Sequence, residues 1–294
     1  MPAIAKGRTD VPLINQTIGD DLEATVKKFA EREALVMPHQ GIRWTYAQLN
    51  AEVDRLARGL IARGFEKGDR VGVWAPNVSE WILAQYATAK IGVIQVNINP
   101  AYRSNELSYA LKQSGCKGLI ASRRFKTSDY VKMLGEVRDQ CPDLQQAIFL
   151  DDEGKPGDWA ALLADGESVS ADALKTRMAS LSPNEPINIQ YTSGTTGAPK
   201  GATLSHRNIL NNALFDGHSM KLSEQDRFCV PVPFYHCAGM VCGNLMATIF
   251  GATIVVPAAA FDPGQTLKSI AAERCTGIMA VPTMFIAMLG HPDF

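Results

Sequence analysis

Apolar and polar residues follow one another along the chain in the pattern of strands that alternate with helices. Segments of strand length that are rich in apolar residues lie at 70–75, 93–98, 118–121 and 147–150. The stretches between them carry apolar residues at helical spacing, and glycines such as Gly64 and Gly92 stand where the predicted helices end. Strand, helix and strand in this order predict a right-handed crossover and parallel pairing. This region therefore predicts an α/β subdomain with a largely parallel sheet.

A second series of strands and helices occupies the last third of the chain. Its predicted strands lie at 228–232, 252–256 and 277–281. The predicted fold class is therefore α/β, with two largely parallel subdomains of the α/β/α type. Because the second series has only three strands and no closing element before Phe294, we expect it to be truncated and the sequence to be a partial chain.

The predicted elements divide the chain into three parts. Residues 1–20 are predicted to form an irregular lead-in, and residues 21–186 the first α/β subdomain. Residues 187–294 are predicted to contain an apolar strand, a polar loop and the incomplete second subdomain. Within the first subdomain, residues 34–45 predict a β-hairpin around the turn at Gly41.

A loop rich in glycine and hydroxyl side chains follows the predicted strand at 187–191. From Tyr191 to Gly201 it contains three glycines, four serine or threonine hydroxyls and Lys200. Glycines let backbone N–H groups turn toward an anion, and lysine adds a mobile positive charge. The loop therefore predicts a site for the phosphates of a nucleotide. The alternative is a flexible linker of serine, threonine and glycine.

The Walker-type P-loop is the pattern that competes for the same residues. Gly194 and Lys200 have its outer spacing, but Pro199 stands where the second glycine is required. Gly201 stands where that pattern has the magnesium-binding serine or threonine. We therefore expect phosphate binding of a different type, and a P-loop phosphotransferase is the less favoured hypothesis.

The segment from Tyr191 to Gly201 resembles the signature of the adenylate-forming (AMP-binding) superfamily. Four further segments, at 44–49, 91–103, 231–236 and 281–285, resemble motifs of these enzymes, and the one at 91–103 has the version typical of acyl-CoA synthetases. The resemblance covers about residues 22–294 and corresponds to the N-terminal portion of an acyl-CoA synthetase or fatty-acid-CoA ligase. The family's Tyr-Gly-x-Thr-Glu segment and its mobile C-terminal domain have no match in this sequence.

The resemblance implies that a carboxylic acid is activated with ATP and Mg²⁺ to an acyl-adenylate, and that coenzyme A then takes the acyl group. His236 is implied as the catalytic residue near the adenylate, and His206 is assigned to a helix start. Val281, Pro282 and Met284 are candidates for the wall of an acyl channel. We predict no metal ligand among the side chains. The residues implied to hold the phosphates are Thr192, Ser193, Gly194, Thr195, Thr196, Gly197 and Lys200.

Charge and composition narrow the range of partners. The net charge is −1, from 29 basic and 30 acidic residues, so nothing favours a nucleic acid or an anionic membrane surface. Residues 228–261 carry no charge, but prolines and glycines interrupt them, and we predict buried elements rather than a membrane span. The six cysteines show no metal-ligand spacing with the five histidines, which favours a reducing, cytoplasmic location.

The nature of the acid is the least constrained expectation. The uncharged segments at 240–250 and 277–288 favour a medium- or long-chain fatty acid. An aryl- or other acid-CoA ligase is an alternative, and a non-catalytic nucleotide- or acyl-binding module is another. We expect the 294-residue chain alone to be inactive as a ligase. A homodimer is consistent with the sequence, which does not determine the oligomeric state.

Overall fold

The computed structural model describes residues 10–151, 157–192 and 199–294, which form two β-sheets and the helices packed on them. The helices are α1 (Ile18–Phe29), α2 (Tyr46–Ala62), α3 (Ser79–Ile91), α4 (Ser104–Ser114), α5 (Tyr130–Val137), α6 (Asp158–Asp165), α7 (Ala171–Ala179), α8 (His206–Met220), α9 (Cys237–Gly239), α10 (Met246–Phe250), α11 (Pro263–Glu273) and α12 (Pro282–Leu289). The strands are β1 (Glu33–Met37), β2 (Ile42–Thr45), β3 (Arg70–Trp74), β4 (Ile94–Asn97), β5 (Gly118–Ala121), β6 (Arg124–Phe125), β7 (Ser128–Asp129), β8 (Gln146–Phe149), β9 (Pro186–Thr192), β10 (Lys200–Ser205), β11 (Arg227–Cys229), β12 (Thr253–Val255) and β13 (Gly277–Ile278).

The first sheet has the strand order β10-β9-β4-β3-β5-β8. Its strands are parallel, as the crossovers predict, except that β10 runs antiparallel to β9. Strand β9 pairs with β4, so Asn188 lies opposite Gln95. The predicted apolar strand therefore pairs within the first sheet. Its Asn188 side chain donates to the Gln95 carbonyl and to the Asn97 side chain on β4.

The second sheet has the order β13-β11-β12-β1-β2 and combines the two ends of the chain. The predicted hairpin of β1 and β2 is present, and β1 also pairs in parallel with β12, which places Leu35 opposite Ile254. The expected three-stranded second sheet is thus wrong, because the hairpin adds two strands. Strand β1 is almost fully buried from Ala34 to Met37, and β12 provides the apolar edge that such a strand needs.

Helices cover both faces of the first sheet. On one face, α4 and α5 bury a core that contains Trp74, Leu119 and Tyr130. On the other face, a larger core joins α1, α2, α3, α8 and α10 to the apolar residues of the second sheet. Helix α3 lies inside this core, and nearly all of its residues are buried. The two sheets therefore share one core, and the largely parallel α/β fold class is confirmed.

The uncharged segment at 228–261 folds as buried elements. It contains strand β11, the short helix α9, a π-helical segment (Met240–Leu245), helix α10 and strand β12. This agrees with the predicted strand, helix and strand, apart from the π-helical segment. In the ranges that the structure describes, we find no helix long and apolar enough to cross a membrane.

Candidate active site at the carboxyl ends of the strands

A β-hairpin carries the loop that the sequence predicts to bind phosphate. Strands β9 and β10 pair so that Thr192 lies opposite Lys200, and the Thr192 hydroxyl is 3.5 Å from the Lys200 carbonyl oxygen. Both residues are exposed at the end of the hairpin. The other five predicted phosphate-binding residues lie outside the described residues; they are Ser193, Gly194, Thr195, Thr196 and Gly197.

Two tyrosines attach the base of this loop to helix α4. The Tyr109 hydroxyl donates to the Pro199 carbonyl oxygen at 2.9 Å, and the Tyr191 hydroxyl donates to the Ala110 carbonyl oxygen at 3.0 Å. Burial raises the pKa of Tyr191 to about 12, so this phenol stays a hydrogen-bond donor at neutral pH. The two ends of the loop are therefore fixed to the helix that covers the first sheet.

His236 lies at the start of α9, directly after the segment that follows β11. Its Nδ1 accepts a hydrogen bond from the Ala238 backbone N–H at 3.1 Å. In the neutral ring the proton must then be on Nε2, which leaves an N–H group to donate to a ligand. The turn before it is tight, since a Cβ on Gly239 would lie 2.4 Å from the Pro233 carbonyl oxygen. Glycine is required there by this close approach.

A cavity of about 440 Å³ brings His236 and the end of the phosphate-loop hairpin together. It lies beyond the carboxyl ends of β4 and β9, where ligands bind in open parallel sheets. Lys200 is not among the residues that line it, although its strand partner Thr192 is. The side chains that line it include Asn97, Tyr102, Gln190, Thr192, Tyr235 and His236.

Buried amide side chains under this cavity are residues that the sequence analysis did not single out. Asn97 and Gln190 both donate to the Tyr235 carbonyl oxygen, at 3.3 and 3.0 Å. The Asn97 side chain also donates to the Gln190 side-chain oxygen at 3.0 Å. A signal was available in the sequence, because amides alternate with apolar residues in both strands, as Gln95 and Asn97 and as Asn188 and Gln190. Alternation of this kind places the amides on one face of the sheet.

His206 begins α8 and does not line this cavity, in agreement with its assignment to a helix start. It is buried, and its Nδ1 accepts from the Ile18 backbone N–H at 3.1 Å. Burial lowers the pKa of its imidazole to about 4, so the ring is neutral at physiological pH. The residue thus joins α8 to α1.

The residues predicted for the wall of the acyl channel do not all line one cavity. Met284 lines a cavity of about 260 Å³ together with Pro231, Pro233 and Tyr235, on the other side of the segment that carries His236. Val281 is 44% exposed and lies outside this cavity. A larger cavity of about 700 Å³ lies between α1, α2 and α7, away from the strand ends. We place the candidate site at the strand ends because His236 lines the same cavity there as Thr192 and Pro199, the described residues at the two ends of the loop.

Within residues 10–151, 157–192 and 199–294, no three histidine, cysteine, aspartate or glutamate side chains are grouped as metal ligands. The described side chains that line the 440 Å³ cavity are neutral or imidazole groups, without a carboxylate. This part of the site therefore fits a metal ion only as a companion of a bound phosphate group.

A family model described as AMP-binding enzyme matches residues 22–294. The chain belongs to the AMP-binding enzyme family. The predicted resemblance to this family is thereby confirmed, over nearly the whole chain. Among curated members, the mitochondrial medium-chain acyl-CoA ligase of Rattus norvegicus is 41% identical over 311 residues, which cover 98% of this chain and 50% of the relative. The chain thus spans about half the length of this relative.

Solved structures of the AMP-binding family agree with the fold. The N-terminal domain of FACL13 from Mycobacterium tuberculosis superposes with a TM-score of 0.77 at 28% identity, over 95% of this chain and 66% of that one. A fatty acyl-CoA synthetase from the same organism gives 0.76 at 27% identity, over 95% of this chain and 52% of its own. The expected correspondence to the N-terminal portion of the family's enzymes is confirmed.

Proposed function

We propose that the whole protein carrying this chain activates a carboxylic acid with ATP and transfers the acyl group to coenzyme A. The observation that carries the proposal is the cavity in which His236 faces the end of the hairpin with Thr192. The relatives support it by name, as a medium-chain acyl-CoA ligase and a fatty acyl-CoA synthetase. Because the chain spans about half of these relatives, the activity is assigned to the whole protein.

The first step joins the acid to AMP. A carboxylate oxygen attacks the α-phosphorus of ATP, the bond to the β-phosphate oxygen breaks, and pyrophosphate leaves with the electron pair. Lys200 and the hydroxyls and N–H groups between Thr192 and Gly197 neutralise charge on the leaving phosphates. His236 donates its Nε2–H to an oxygen of the acyl carboxylate and holds it in line. In the second step the thiol of coenzyme A loses its proton to solvent and its sulfur attacks the acyl carbonyl carbon, the bond from that carbon to the phosphate oxygen breaks, and AMP leaves with the electron pair.

Mg²⁺ is proposed to bind together with the nucleotide. Mg²⁺ prefers oxygen ligands and is held in many sites by substrate phosphates with few protein carboxylates. The described lining of the cavity offers no carboxylate, so the substrate is proposed to be the magnesium complex of ATP. No step is assigned to a metal ion bound by the described side chains.

The acid is proposed to be a medium- or long-chain fatty acid. Its chain would run along the apolar side of the segment that carries His236, where Pro231, Pro233 and Met284 line the second cavity. An aryl acid is the alternative within the same chemistry. Both acids have an apolar body and one carboxylate, so the length of the cavity decides between them.

The test is the exchange of labelled pyrophosphate into ATP by the whole protein. We expect exchange that depends on the added acid and is fastest with a medium- or long-chain fatty acid, because the second cavity is lined mainly by apolar residues. Acetate, benzoate and a mixture of amino acids serve as comparisons. Exchange with amino acids only would contradict the proposal. ATP binding without exchange, for any acid, would indicate a nucleotide-binding module instead.

The cellular compartment and the oligomeric state of the protein are also proposed and can be tested. We propose a reducing compartment and favour the cytoplasm, because free thiols such as buried Cys116 and Cys229 persist there. The name of the rat relative gives a mitochondrial location for that protein. Cell fractionation separates the two compartments. Sedimentation of the whole protein tests whether it forms a homodimer.

A further inference from the structure

The backbone segment that leads to His236 is held by side-chain amides of the first sheet. Two of them, Asn97 and Gln190, lie at the carboxyl ends of β4 and β9, and their amide groups donate to the Tyr235 carbonyl oxygen. The third, Asn77, lies in the connection after β3. We call the side chains of Asn77, Asn97 and Gln190 the amide clamp.

Asn77 grips the other end of the same segment. Its side-chain nitrogen donates to the Val232 carbonyl oxygen at 2.9 Å, and its side-chain oxygen accepts from the Phe234 backbone N–H at 2.8 Å. Its own backbone N–H donates to the Ala259 carbonyl oxygen at 3.0 Å. The segment from Val232 to Tyr235 is therefore fixed at three backbone groups by residues of the first sheet and its connections.

The clamp is buried, and two of its side chains bond to each other: the Asn97 amide nitrogen donates to the Gln190 side-chain oxygen. Asn77, Asn97 and Gln190 are 2%, 1% and 4% exposed. The Asn97 side-chain oxygen also accepts from Gln95 and Asn188, at 3.0 Å each, which fixes the orientation of its amide. A hydrogen bond in a buried network has few alternative partners, so it restricts the position of the backbone that it holds.

The clamp connects two functional elements that lie on different sheets. Gln190 is two residues before Thr192 on β9, at the base of the phosphate loop, while Tyr235 directly precedes His236. A shift of one element is thereby passed to the other. Positioning of reacting groups to within about 1 Å can change a rate by about a hundredfold.

We infer that Asn77, Asn97 and Gln190 are positioning residues that set the distance between His236 and Thr192, at the base of the phosphate loop, for acyl-adenylate formation. The inference rests on the proposed function for its kinetic consequence. Its structural part, a segment from Val232 to His236 held by the clamp, is independent of that function. The Asn97 and Gln190 side chains also line the 440 Å³ cavity. The role inferred for the three amides depends on their bonds to the Tyr235 carbonyl and the Val232–Phe234 backbone.

The matched pair of variants is Gln190→Met and Asn188→Leu. Both residues are buried amides on β9, but Asn188 bonds to β4, at the Gln95 carbonyl and the Asn97 side-chain oxygen. When Asn188 is replaced, the Gln95 side chain still donates to that oxygen and keeps the orientation of the Asn97 amide. Each variant removes one buried amide from the same strand, and we expect similar losses of thermal stability. Only Gln190→Met removes a direct bond to Tyr235.

Hydrogen exchange read by mass spectrometry gives the structural result in the whole protein. We expect Gln190→Met to speed exchange of the backbone amides at 234–238 by about tenfold, whereas Asn188→Leu leaves them unchanged. Asn77→Ser tests the other end and covers the case in which Gln190→Met does not fold. Unchanged exchange at 234–238 in both clamp variants would overturn the inference.

Kinetics gives the functional result. With Gln190→Met we expect the kcat of pyrophosphate exchange to fall about tenfold while the KM for ATP stays within about twofold, because a displaced His236 misaligns the reacting carboxylate without removing a contact to ATP. Asn188→Leu should retain both values. If Asn188→Leu lowers kcat as much as Gln190→Met, the role is structural only and the inference fails. If the unchanged protein shows no exchange with any acid, the proposed function fails, and hydrogen exchange still decides whether the clamp holds the segment.

Discussion

Two polar clusters join distant parts of this chain in contrasting ways. The amide clamp is neutral, buried and close to the candidate site. At the far end of the second sheet, an ionic cluster of Glu33, Arg43, Arg227 and Glu273 joins the hairpin β1–β2 to β11 and α11. In this cluster Arg43 lies 2.6 Å from Glu33 and 2.7 Å from Glu273, and the Arg43 side chain is 51% exposed.

The comparison indicates which kind of contact controls the position of the backbone. A buried amide has no water to replace its partner, so its loss leaves a backbone group unsatisfied. An exposed ion pair keeps water and salt as competitors, and its net contribution is small. We therefore expect the clamp to control geometry at the site, and the ionic cluster to add a modest stability that depends on salt and pH.

The largest effect on stability is expected for Asn77→Leu. The variant leaves the Val232 carbonyl and the Phe234 N–H without their partner in a buried place. We expect a loss of about 3 kcal/mol in the free energy of unfolding, from two buried groups at roughly 1–3 kcal/mol each. Urea unfolding measures it, with exposed Gln225→Leu as the control. A loss no larger than that of the control would remove the contrast between the clusters.

A smaller effect is expected for Arg227→Met. Arg227 pairs with Glu33 and Glu273 with its side chain 22% exposed, so removal leaves two half-buried carboxylates without this partner. We expect a loss of about 1–2 kcal/mol in low salt, falling by about half in 1 M NaCl because the pairs are screened. The same urea titrations at two salt concentrations test this. A loss that does not change with salt would contradict the ionic account.

The same variant should lose its effect in acid. Burial opposes ionisation of Glu33, but hydrogen bonds from Arg43 and Arg227 outweigh it and hold its pKa below the ordinary value of 4.5. For Glu273, the hydrogen bond from Arg43 lowers the pKa in the same direction. Carboxyls with depressed pKa values stabilise the fold above about pH 4.5 and lose this contribution as the pH falls. We expect the difference between Arg227→Met and the unchanged protein to shrink below pH 4.5, while that of Asn77→Leu persists wherever the fold survives.

The smallest effect is expected for Arg43→Met. Half of the Arg43 side chain is exposed, and surface pairs contribute roughly 0–1 kcal/mol. We expect a change of about 0.5 kcal/mol in the free energy of unfolding. A change larger than that of Arg227→Met would mean that side-chain exposure does not determine how much each arginine of the cluster contributes to stability.

The local pattern of apolar, polar and capping residues was sufficient to predict most of the helices and strands. Helix α8 begins at His206 as predicted, because Ser205 caps it and its apolar residues have helical spacing. Pairing between distant segments was not predictable in this way. The apolar residues of β1 do not reveal that their partner is β12, since many strands offer a similar edge. Strand β10 was missed because its glycine and alanine have low β-propensity, and pairing with β9 stabilises it.

The sequence predicted which residues form the candidate site, but not the strand pairing that brings them together. The glycines and hydroxyls of the loop, and His236 after a strand, follow from residue chemistry and from the family motifs. The proximity of Thr192 and His236 needed the alignment of β9 beside β4 and the placement of the segment after β11 on the neighbouring sheet. The roles of His236, Lys200 and the loop residues stay predictions.

The most direct test of the adenylation chemistry is pyrophosphate exchange by the whole protein with Lys200 replaced by alanine. We expect exchange supported by a medium-chain fatty acid to fall about a hundredfold in Lys200→Ala, since charge on the leaving phosphates loses its cation. The melting temperature should be unchanged, because Lys200 is exposed, and exposed Lys132→Ala should exchange like the unchanged protein. Exchange at the unchanged rate in Lys200→Ala would contradict the account.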